Sequence, residues 1–328
     1  MQFEDILIVG GRGYIGQNLA FQLNSQYNII AVDSRHILAD TSNLRIDDYF
    51  RSSSTSTTSP LATKTLFKST LKTGNLSIQS FDLKMAPFLM IYAAGNEPPS
   101  QTKKWMDFAV DMRIPNIFFL SSAAVYGHAL YLPQDEKHPR LPINDYGQKK
   151  CWGEDYLELL QNRGDVNLGV CFRIFNLYGN MLSNQLVSRT AFQMIDFLCT
   201  KIRNKETRDI RISTHSTPDG SFTRDYLHIE DAAFAIEQAI KLIDTFSVYT
   251  KINLGTGVAT SLLDLVGELG RIFNESFECH SANIKTPEAA SSVANIDLAY
   301  ELLKWRPKIE LKAGLLNHFQ RFYSPKND

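Results

Sequence analysis

The stretch "DILIVGGRGYIGQNLA", residues 5–20, decides the fold of this chain. Its apolar run predicts a β-strand, and the pattern from Tyr14 onward predicts an α-helix. The turn between them holds four glycines: Gly10, Gly11, Gly13 and Gly16. Glycines let a backbone approach a ligand closely, and a helix N-terminus attracts phosphate. Glycine-rich turns also form for purely conformational reasons, so the motif needs support from the rest of the chain.

The next strand supplies that support. The run "NIIAVD", residues 28–33, ends at Asp33, 17 residues after Gly16. A carboxylate at this place can accept hydrogen bonds from the ribose hydroxyls of a dinucleotide and repels a 2'-phosphate. The spacing therefore predicts an NAD site. Arg35 keeps NADP open as an alternative, because an arginine there can receive the 2'-phosphate.

Apolar strands alternate with helical patterns through the first half of the chain. This alternation predicts an α/β protein with a Rossmann-type, doubly wound parallel sheet and a smaller mixed α/β C-terminal substrate domain. We expect a Rossmann domain over 1–175, with return segments near 222–257, and a mainly substrate-binding domain over 176–328. Further strands are predicted at 88–95, 116–127, 167–176 and 209–213, and the run "KINLGTG", residues 251–257, precedes a predicted helix. Helices are predicted at 14–25, 151–164, 187–202, 229–243 and 261–273, the second ending at a glycine C-cap, Gly164.

Composition excludes several classes of function. The 328 residues are 44% hydrophobic and carry a formal net charge of -1, with scattered basic residues, so neither nucleic acid nor a membrane surface is an expected partner. Without a leader pattern or a membrane-spanning run, a cytoplasmic location is expected. The four cysteines form no C-x-x-C pair, and no metal site is predicted. Eight consecutive hydroxyl residues, 52–59, predict a surface loop.

A second motif indicates acid–base chemistry. In "YGQKK", Tyr146 and Lys150 are four residues apart and share one face of a helix. The ammonium group is expected to lower the pKa of the phenol, which would make it a proton acceptor. The strand of "FFLSSAAVYG" ends with Ser121 and Ser122, the second lying 24 residues before Tyr146. A serine hydroxyl there can bind the oxygen that Tyr146 deprotonates.

With these residues in this order, the sequence resembles the extended short-chain dehydrogenase/reductases, in the NAD-dependent epimerase/dehydratase group that acts on nucleotide sugars. The motifs run in family order over nearly the whole chain. They are "GGRGYIG", "YAAG", "SSAAVYG", "YGQKK", "FRIFNLYG", "TRDYLHIEDAA", "NLGTG" and "LLKWRP".

The resemblance implies a role for each matching position. The implied catalytic residues are Ser122, Tyr146 and Lys150. The implied cofactor is NAD, with NADP as the alternative, bound by Gly10, Gly13, Tyr14, Ile15, Gly16, Asp33, Asp82, Ala93, Ala94, Gly95, Tyr146, Lys150 and Phe175. The implied substrate residues are Ser122, Asn176 and Arg224. Arg224 would pair with a diphosphate, and a structural salt bridge with Asp225 or Asp231 is the alternative.

The resemblance implies an NAD-dependent epimerase of a nucleotide-diphosphate sugar that works through a transient keto sugar. Ala123 and Ala124 stand where dehydratases of this group carry an acidic pair, which argues against dehydration. The alternatives are an NAD(P)H-dependent reductase of a nucleotide 4-keto-6-deoxy sugar and a catalytically silent dinucleotide-binding protein. The expected partner is a nucleotide sugar. A homodimer is a candidate assembly, although the segment after Gly95 is shorter than the family's dimer helix.

Overall fold

The computed structural model describes residues 4–11, 13–32, 65–72, 75–82, 86–179, 195, 209–213, 222–282 and 289–322. Asp33, Arg35 and the hydroxyl-rich run at 52–59 lie outside the described residues, as does the helix predicted at 187–202 apart from residue 195.

The described strands, in chain order, are β1 (Asp5–Val9), β2 (Asn28–Val32), β3 (Thr65–Lys72), β4 (Asn75–Asp82), β5 (Leu89–Tyr92), β6 (Asn116–Ser122), β7 (Leu168–Ile174), β8 (Asn176–Tyr178), β9 (Asp209–Ser213), β10 (Thr223–Arg224), β11 (Tyr226–His228), β12 (Thr250–Leu254), β13 (Thr260–Ser261), β14 (Glu278–Ala282) and β15 (Ser291–Ser292). The described helices are α1 (Tyr14–Leu23), α2 (Pro99–Asp111), α3 (Asp145–Asn162), α4 (Ile229–Lys241), α5 (Leu262–Phe273), α6 (Asp297–Leu303) and α7 (Leu311–Phe322). Short 3₁₀ helices span Ala123–Val125 and Ile243–Thr245.

Six parallel strands form the central sheet in the order β12-β7-β6-β5-β1-β2. Successive residues of a strand point to opposite faces of the sheet. Accordingly, Ile6 and Ile8 pack in the core cluster that contains α1 and α4 residues, whereas Leu7 and Val9 pack in the cluster that contains α2 and α3 residues. The sheet is covered on both faces, as the alternating pattern of the sequence predicts.

The direction of the strand order reverses between β1 and β5. From β1 the chain moves to β2 on one side, while β5, β6 and β7 lie on the other. Ligands of open α/β sheets bind at such a switch point, outside the carboxyl ends of the strands. The fold therefore places the glycine turn after β1 beside the end of β5.

Smaller sheets account for the remaining strands. β13-β10-β15, β11-β8 and β14-β9 join segments after residue 175, and β3 and β4 form an antiparallel hairpin. Neither this hairpin nor α2 stood out in the apolar pattern of the sequence. The predicted Rossmann-type sheet with a mixed second region is confirmed.

Several predicted boundaries move for local reasons. The strand predicted at 116–127 ends at Ser122, because the chain turns into a 3₁₀ helix whose Ala124 amide is capped by the Ser122 hydroxyl at 3.2 Å. The strand predicted at 167–176 is interrupted at Phe175. The predicted cap at Gly164 is confirmed by its φ of +77°. Among the described helices, none has the length and apolar character needed to span a membrane.

Candidate active site

The glycine turn closes tightly against the end of β5. Gly10 has a φ of +81°, and a Cβ on it would lie 2.8 Å from the backbone nitrogen of Ala94. A Cβ on Gly16 would lie 2.3 Å from the carbonyl oxygen of Gly10. Helix α1 then begins at its N-cap Gly13 without a side-chain cap. The turn therefore requires glycine at these positions. It leads directly into the N-terminus of α1, which is the arrangement of a phosphate-binding turn.

Lys150 is fixed by main-chain carbonyl groups at the carboxyl end of the sheet. Its Nζ donates to the carbonyl oxygens of Leu120, at 2.7 Å, and of Ala94, at 3.1 Å. The nitrogen also lies 5.6 Å from the centroid of the Tyr146 ring. Burial lowers the pKa of Lys150 to about 8, although nearby Glu154 acts in the opposite direction. The ammonium group is thus held in one place and titrates near neutrality.

Tyr146 and Ser122 meet because the first turn of α3 lies against the 3₁₀ helix that follows β6. The Asn144 side chain caps α3 by accepting a hydrogen bond from the Gly147 amide at 2.8 Å. A Cβ on Gly147 would lie 2.4 Å from the carbonyl oxygen of Ala124, so this approach requires glycine. Both Tyr146 and Ser122 are half-buried, and they are joined by a hydrogen bond.

The protonation of Tyr146 differs from the prediction made from the sequence. Burial raises the pKa of Tyr146, and the hydrogen bond from Ser122 lowers it by less. The predicted lowering of this pKa by Lys150 is therefore wrong. Loss of water around the phenol disfavours the charged tyrosinate.

The two adjacent serines have different surroundings. Ser121 is buried and donates to Glu154 at 2.6 Å, whereas Ser122 is half-buried and lies beside Tyr146. Neighbouring residues of a strand point to opposite faces, which explains the division. Of the two serines, Ser122 is therefore the one that lies beside Tyr146.

The predicted cofactor residues fall into three groups. Ala93, Ala94 and Gly95 follow β5 beside the glycine turn, with Gly95 exposed. Tyr14, Ile15 and Phe175 pack wholly or partly in the core; the Tyr14 hydroxyl donates to the Gly179 carbonyl oxygen at 3.3 Å, and Phe175 contacts the Tyr126 ring. Asp82 is the last residue of β4, and Asp33 lies outside the described residues.

The predicted substrate residues Asn176 and Arg224 come together through the pairing of β8 with β11. The backbone amide of Asn176 donates to the carbonyl oxygen of Asp225 at 3.0 Å. Asp225 follows Arg224 in the chain. The Arg224 guanidinium donates to the Thr223 carbonyl oxygen and lies 5.4 Å from the Phe222 ring centroid. The backbone of Asn176 therefore lies beside that of Asp225, the residue after Arg224.

The carboxylates named as alternative partners of Arg224 bind other groups. Asp225 is fully buried and accepts hydrogen bonds from Thr256, Gly257 and Ala294. Asp231 accepts from two amides of the segment before α7, at 3.0 and 2.9 Å. Asp225 therefore joins the "TRDY" and "NLGTG" motifs, a role that the sequence reading missed.

Glu154 is a second residue that the sequence reading missed. It lies one turn after Lys150, is fully buried, and pairs with Arg173 at 2.7 Å. Its spacing of eight from Tyr146 and four from Lys150 was the available signal, since these positions share a helix face. Among the described residues, no group of three or more histidines, cysteines or carboxylates is placed to hold a metal ion.

The sequence and the structure of this chain are similar to those of several UDP-glucose 4-epimerases. The chain is 28% identical to a UDP-glucose 4-epimerase of Rhizobium leguminosarum over 199 residues, which is 59% of this chain and 60% of that protein. It is 24% identical to the UDP-glucose 4-epimerase of Mus musculus over 94% of this chain and 93% of that one. The crystal structure of the Stenotrophomonas maltophila UDP-glucose 4-epimerase, with bound NAD and formylated UDP-arabinopyranose, superimposes with a TM-score of 0.74 at 21% identity, covering 97% of this chain and 98% of that one.

The model of the NAD dependent epimerase/dehydratase family matches residues 101–255 of this chain, the part that holds Ser122, Tyr146 and Lys150.

Proposed function

We propose that the protein is an NAD-dependent epimerase of a nucleotide-diphosphate sugar. The observation that carries the proposal is the meeting of Ser122, Tyr146 and Lys150 at the carboxyl edge of the sheet, beside the glycine turn. The UDP-glucose 4-epimerases to which the chain is similar support UDP-hexoses as the first substrates to test.

The glycine turn fits a dinucleotide. Side chains at Gly10 and Gly16 would close the turn onto its own backbone and onto Ala94, so the close approach that a pyrophosphate needs is built in. We propose that the cofactor residues named above hold NAD, with the carboxylate of Asp33 at the ribose. NAD, when bound, supplies the acceptor and then the donor of the hydride, together with a positive charge in its oxidised form.

Tyr146 is proposed as the base and acid of the reaction. Its phenolate takes the proton of a sugar hydroxyl and later returns a proton to the same oxygen. Burial raises the Tyr146 pKa, and we propose that the Lys150 charge, 5.6 Å from the ring centroid, stabilises the phenolate as it forms during the reaction. The Ser122 hydroxyl orients the reacting sugar oxygen. Removing the proton favours departure of hydride from the carbon, because the oxygen then develops into a carbonyl.

The surroundings of the triad favour epimerisation over dehydration. Ala123 and Ala124 follow Ser122 and can neither remove nor return a proton. We propose that Asn176 contacts the sugar nucleotide and that Arg224 binds its diphosphate in the paired geometry that guanidinium allows. The Rossmann part, 1–175 with returns near 222–257, would then hold the cofactor, and 176–328 mainly the substrate.

The experiment is the incubation of purified protein with UDP-glucose and with UDP-galactose in the absence of added reductant. Interconversion of the pair, seen by NMR and lost in Y146F, is expected. Stoichiometric consumption of NADPH by a nucleotide 4-keto-6-deoxy sugar would instead identify the reductase alternative. Dinucleotide binding without turnover of any nucleotide sugar would identify the catalytically silent protein.

We propose that two copies of the chain form a homodimer through the outer face of α2 and α3. Trp152 and Tyr156 stack there with ring centroids 5.1 Å apart, and Leu159, on the same helix face, is 45% exposed. Lys103 and Asp107 pair beside them. Sedimentation should give a dimer that L159E dissociates; a monomeric wild-type protein would refute this assembly.

A further inference from the structure

The contacts between α3 and β6 are not limited to those of Tyr146 and Lys150. One turn after Lys150, the Glu154 Oε1 atom accepts a hydrogen bond from Ser121 Oγ at 2.6 Å. Ser121 is the chain neighbour of Ser122. Three successive turns of α3 thus contact the last residues of β6, and Glu154 makes the third of these contacts along the helix.

The Glu154 carboxylate also reaches β7 and the segment before α3. Arg173 donates to it through Nε, at 2.9 Å, and through Nη2, at 2.7 Å. Arg140 Nη1 donates at 3.3 Å. Both oxygens therefore have two partners each, and the Glu154 and Arg173 side chains are only 1% and 2% exposed. One carboxylate joins the catalytic helix to two adjacent strands.

Close packing makes this junction sensitive to position. A Cβ on Gly153 would lie 2.4 Å from the Phe119 ring, so α3 lies directly on β6. The contact of a glycine with an aromatic ring does not by itself set the position of α3 along β6. A bidentate arginine–carboxylate pair does so, because its two hydrogen bonds have a fixed direction. A buried ion pair adds little net stability compared with apolar residues of the same volume, so stabilisation alone gives a poor account of it.

We propose that Glu154 is a positioning residue that fixes the register of α3 on β6 and β7 and so holds Tyr146 against Ser122. The inference rests on the proposed function, because it assigns to Glu154 a part in the rate of the step that Tyr146 performs. Glu154 acts through Ser121 and Arg173 and touches neither substrate nor cofactor in this account.

The test compares E154Q with E237Q. Glu237 is also a buried helical carboxylate, in α4, where it accepts hydrogen bonds from Gln22, Gln26 and Lys241. With rates corrected for the folded fraction, E154Q should lower kcat about tenfold or more while KM changes less than about twofold, since positioning acts on the transition state. E237Q should keep the wild-type kcat. Equal effects of the two changes would overturn the proposal.

A second variant covers the case in which E154Q does not fold. S121A removes the hydroxyl that links Glu154 to β6 and leaves every charge in place. It should fold, and kcat should fall about threefold to tenfold at constant KM. A wild-type kcat in S121A, together with failure of E154Q to fold, would show that Glu154 serves folding alone and would overturn the proposal.

A readout without substrate separates this inference from the proposed function. In protein with ¹³C-labelled lysine, the Lys150 signal, assigned with K150M, reports the contact geometry of α3. S121A leaves every charge in place, so a change in its Lys150 titration reports a changed packing of α3 on β6. Because burial lowers the Lys150 pKa, looser packing in S121A should move this titration to higher pH, whereas E237Q should leave it in place. If the wild type epimerises no sugar, the proposed function fails, and this titration still decides the inference: an unchanged Lys150 titration in S121A overturns it.

Discussion

Lys150 is bonded through its Nζ to the carbonyl oxygen of Leu120 at 2.7 Å, which ties the catalytic helix to the end of β6. A second bond, to the carbonyl oxygen that follows β5, fixes the ammonium group between two strand ends. The ammonium group that we propose to stabilise a Tyr146 phenolate therefore belongs to a side chain with little freedom to move.

The first prediction concerns pH. Burial lowers the pKa of Lys150 to about 8, so the group is charged below that pH and loses its charge as the pH rises through it. Since the reaction needs the charge, kcat/KM for the sugar nucleotide should fall on the alkaline side of about pH 8. In K150R, whose guanidinium stays protonated, the rate should be lower but this alkaline limb should vanish. An alkaline limb that persists unchanged in K150R would assign it to another group.

The second prediction concerns the glycine turn. G10A places a Cβ 2.8 Å from the Ala94 nitrogen at a φ of +81°, so the turn must open. Calorimetry should show NAD affinity reduced by about 100-fold, equivalent to about 2.7 kcal/mol, because the pyrophosphate loses its close backbone contact. The matched variant is G267A, at an exposed position of α5 where a Cβ would have no atom within 4 Å. This variant should bind NAD with the affinity of the wild type. Equal NAD affinity in both variants would contradict the proposal that the glycine turn binds the pyrophosphate of NAD.

The third prediction concerns the packing of α3. G153A drives a methyl group to 2.4 Å from the Phe119 ring, and the free energy of unfolding should fall by about 1–3 kcal/mol in denaturant titrations. G267A adds the same methyl group to an exposed helix position with free space. It should stabilise the protein by about 0.5–1 kcal/mol through helix propensity. Loss of stability in both would indicate that helical glycine in general, and not close approach, is the cause.

The fourth prediction concerns the diphosphate. R224M should raise KM for UDP-glucose about tenfold to 100-fold and leave NAD affinity unchanged, because the proposed pairing lies on the substrate. R224K should recover only part of the loss, since lysine lacks the planar fork. R271M, which removes an exposed arginine paired with Glu268, is the control. A KM unchanged in R224M would leave Arg224 with a structural part only.

Much of the fold could be read from the sequence because its signals are local. The period-two and helical patterns predicted α1, β2 and α4 within a few residues, and the αL cap at Gly164 is confirmed. The hairpin β3–β4 was missed, since its sequence has no clear apolar alternation.

The site shows where sequence reasoning stops. Spacing alone could not show whether Ser121 or Ser122 lies beside Tyr146. The two are distinguished only by the face of β6 from which each side chain projects. The Tyr146 pKa was misjudged because the cost of burial depends on atoms distant in sequence. In the sequence Glu154 looks like an ordinary charged residue on a helix. The fold buries it against Arg173, which is 19 residues away in the chain. The Asp33 prediction remains untested by the described residues.

The most direct test of the central claim uses UDP-glucose deuterated at C4, incubated with the protein without added reductant and followed by NMR. An epimerase of the proposed kind removes that hydrogen and returns it to the same carbon, so the UDP-galactose formed should keep its deuterium, and Y146F should lower the rate about 100-fold or more. Formation of UDP-galactose with hydrogen from solvent at C4, or at an undiminished rate in Y146F, would contradict the account.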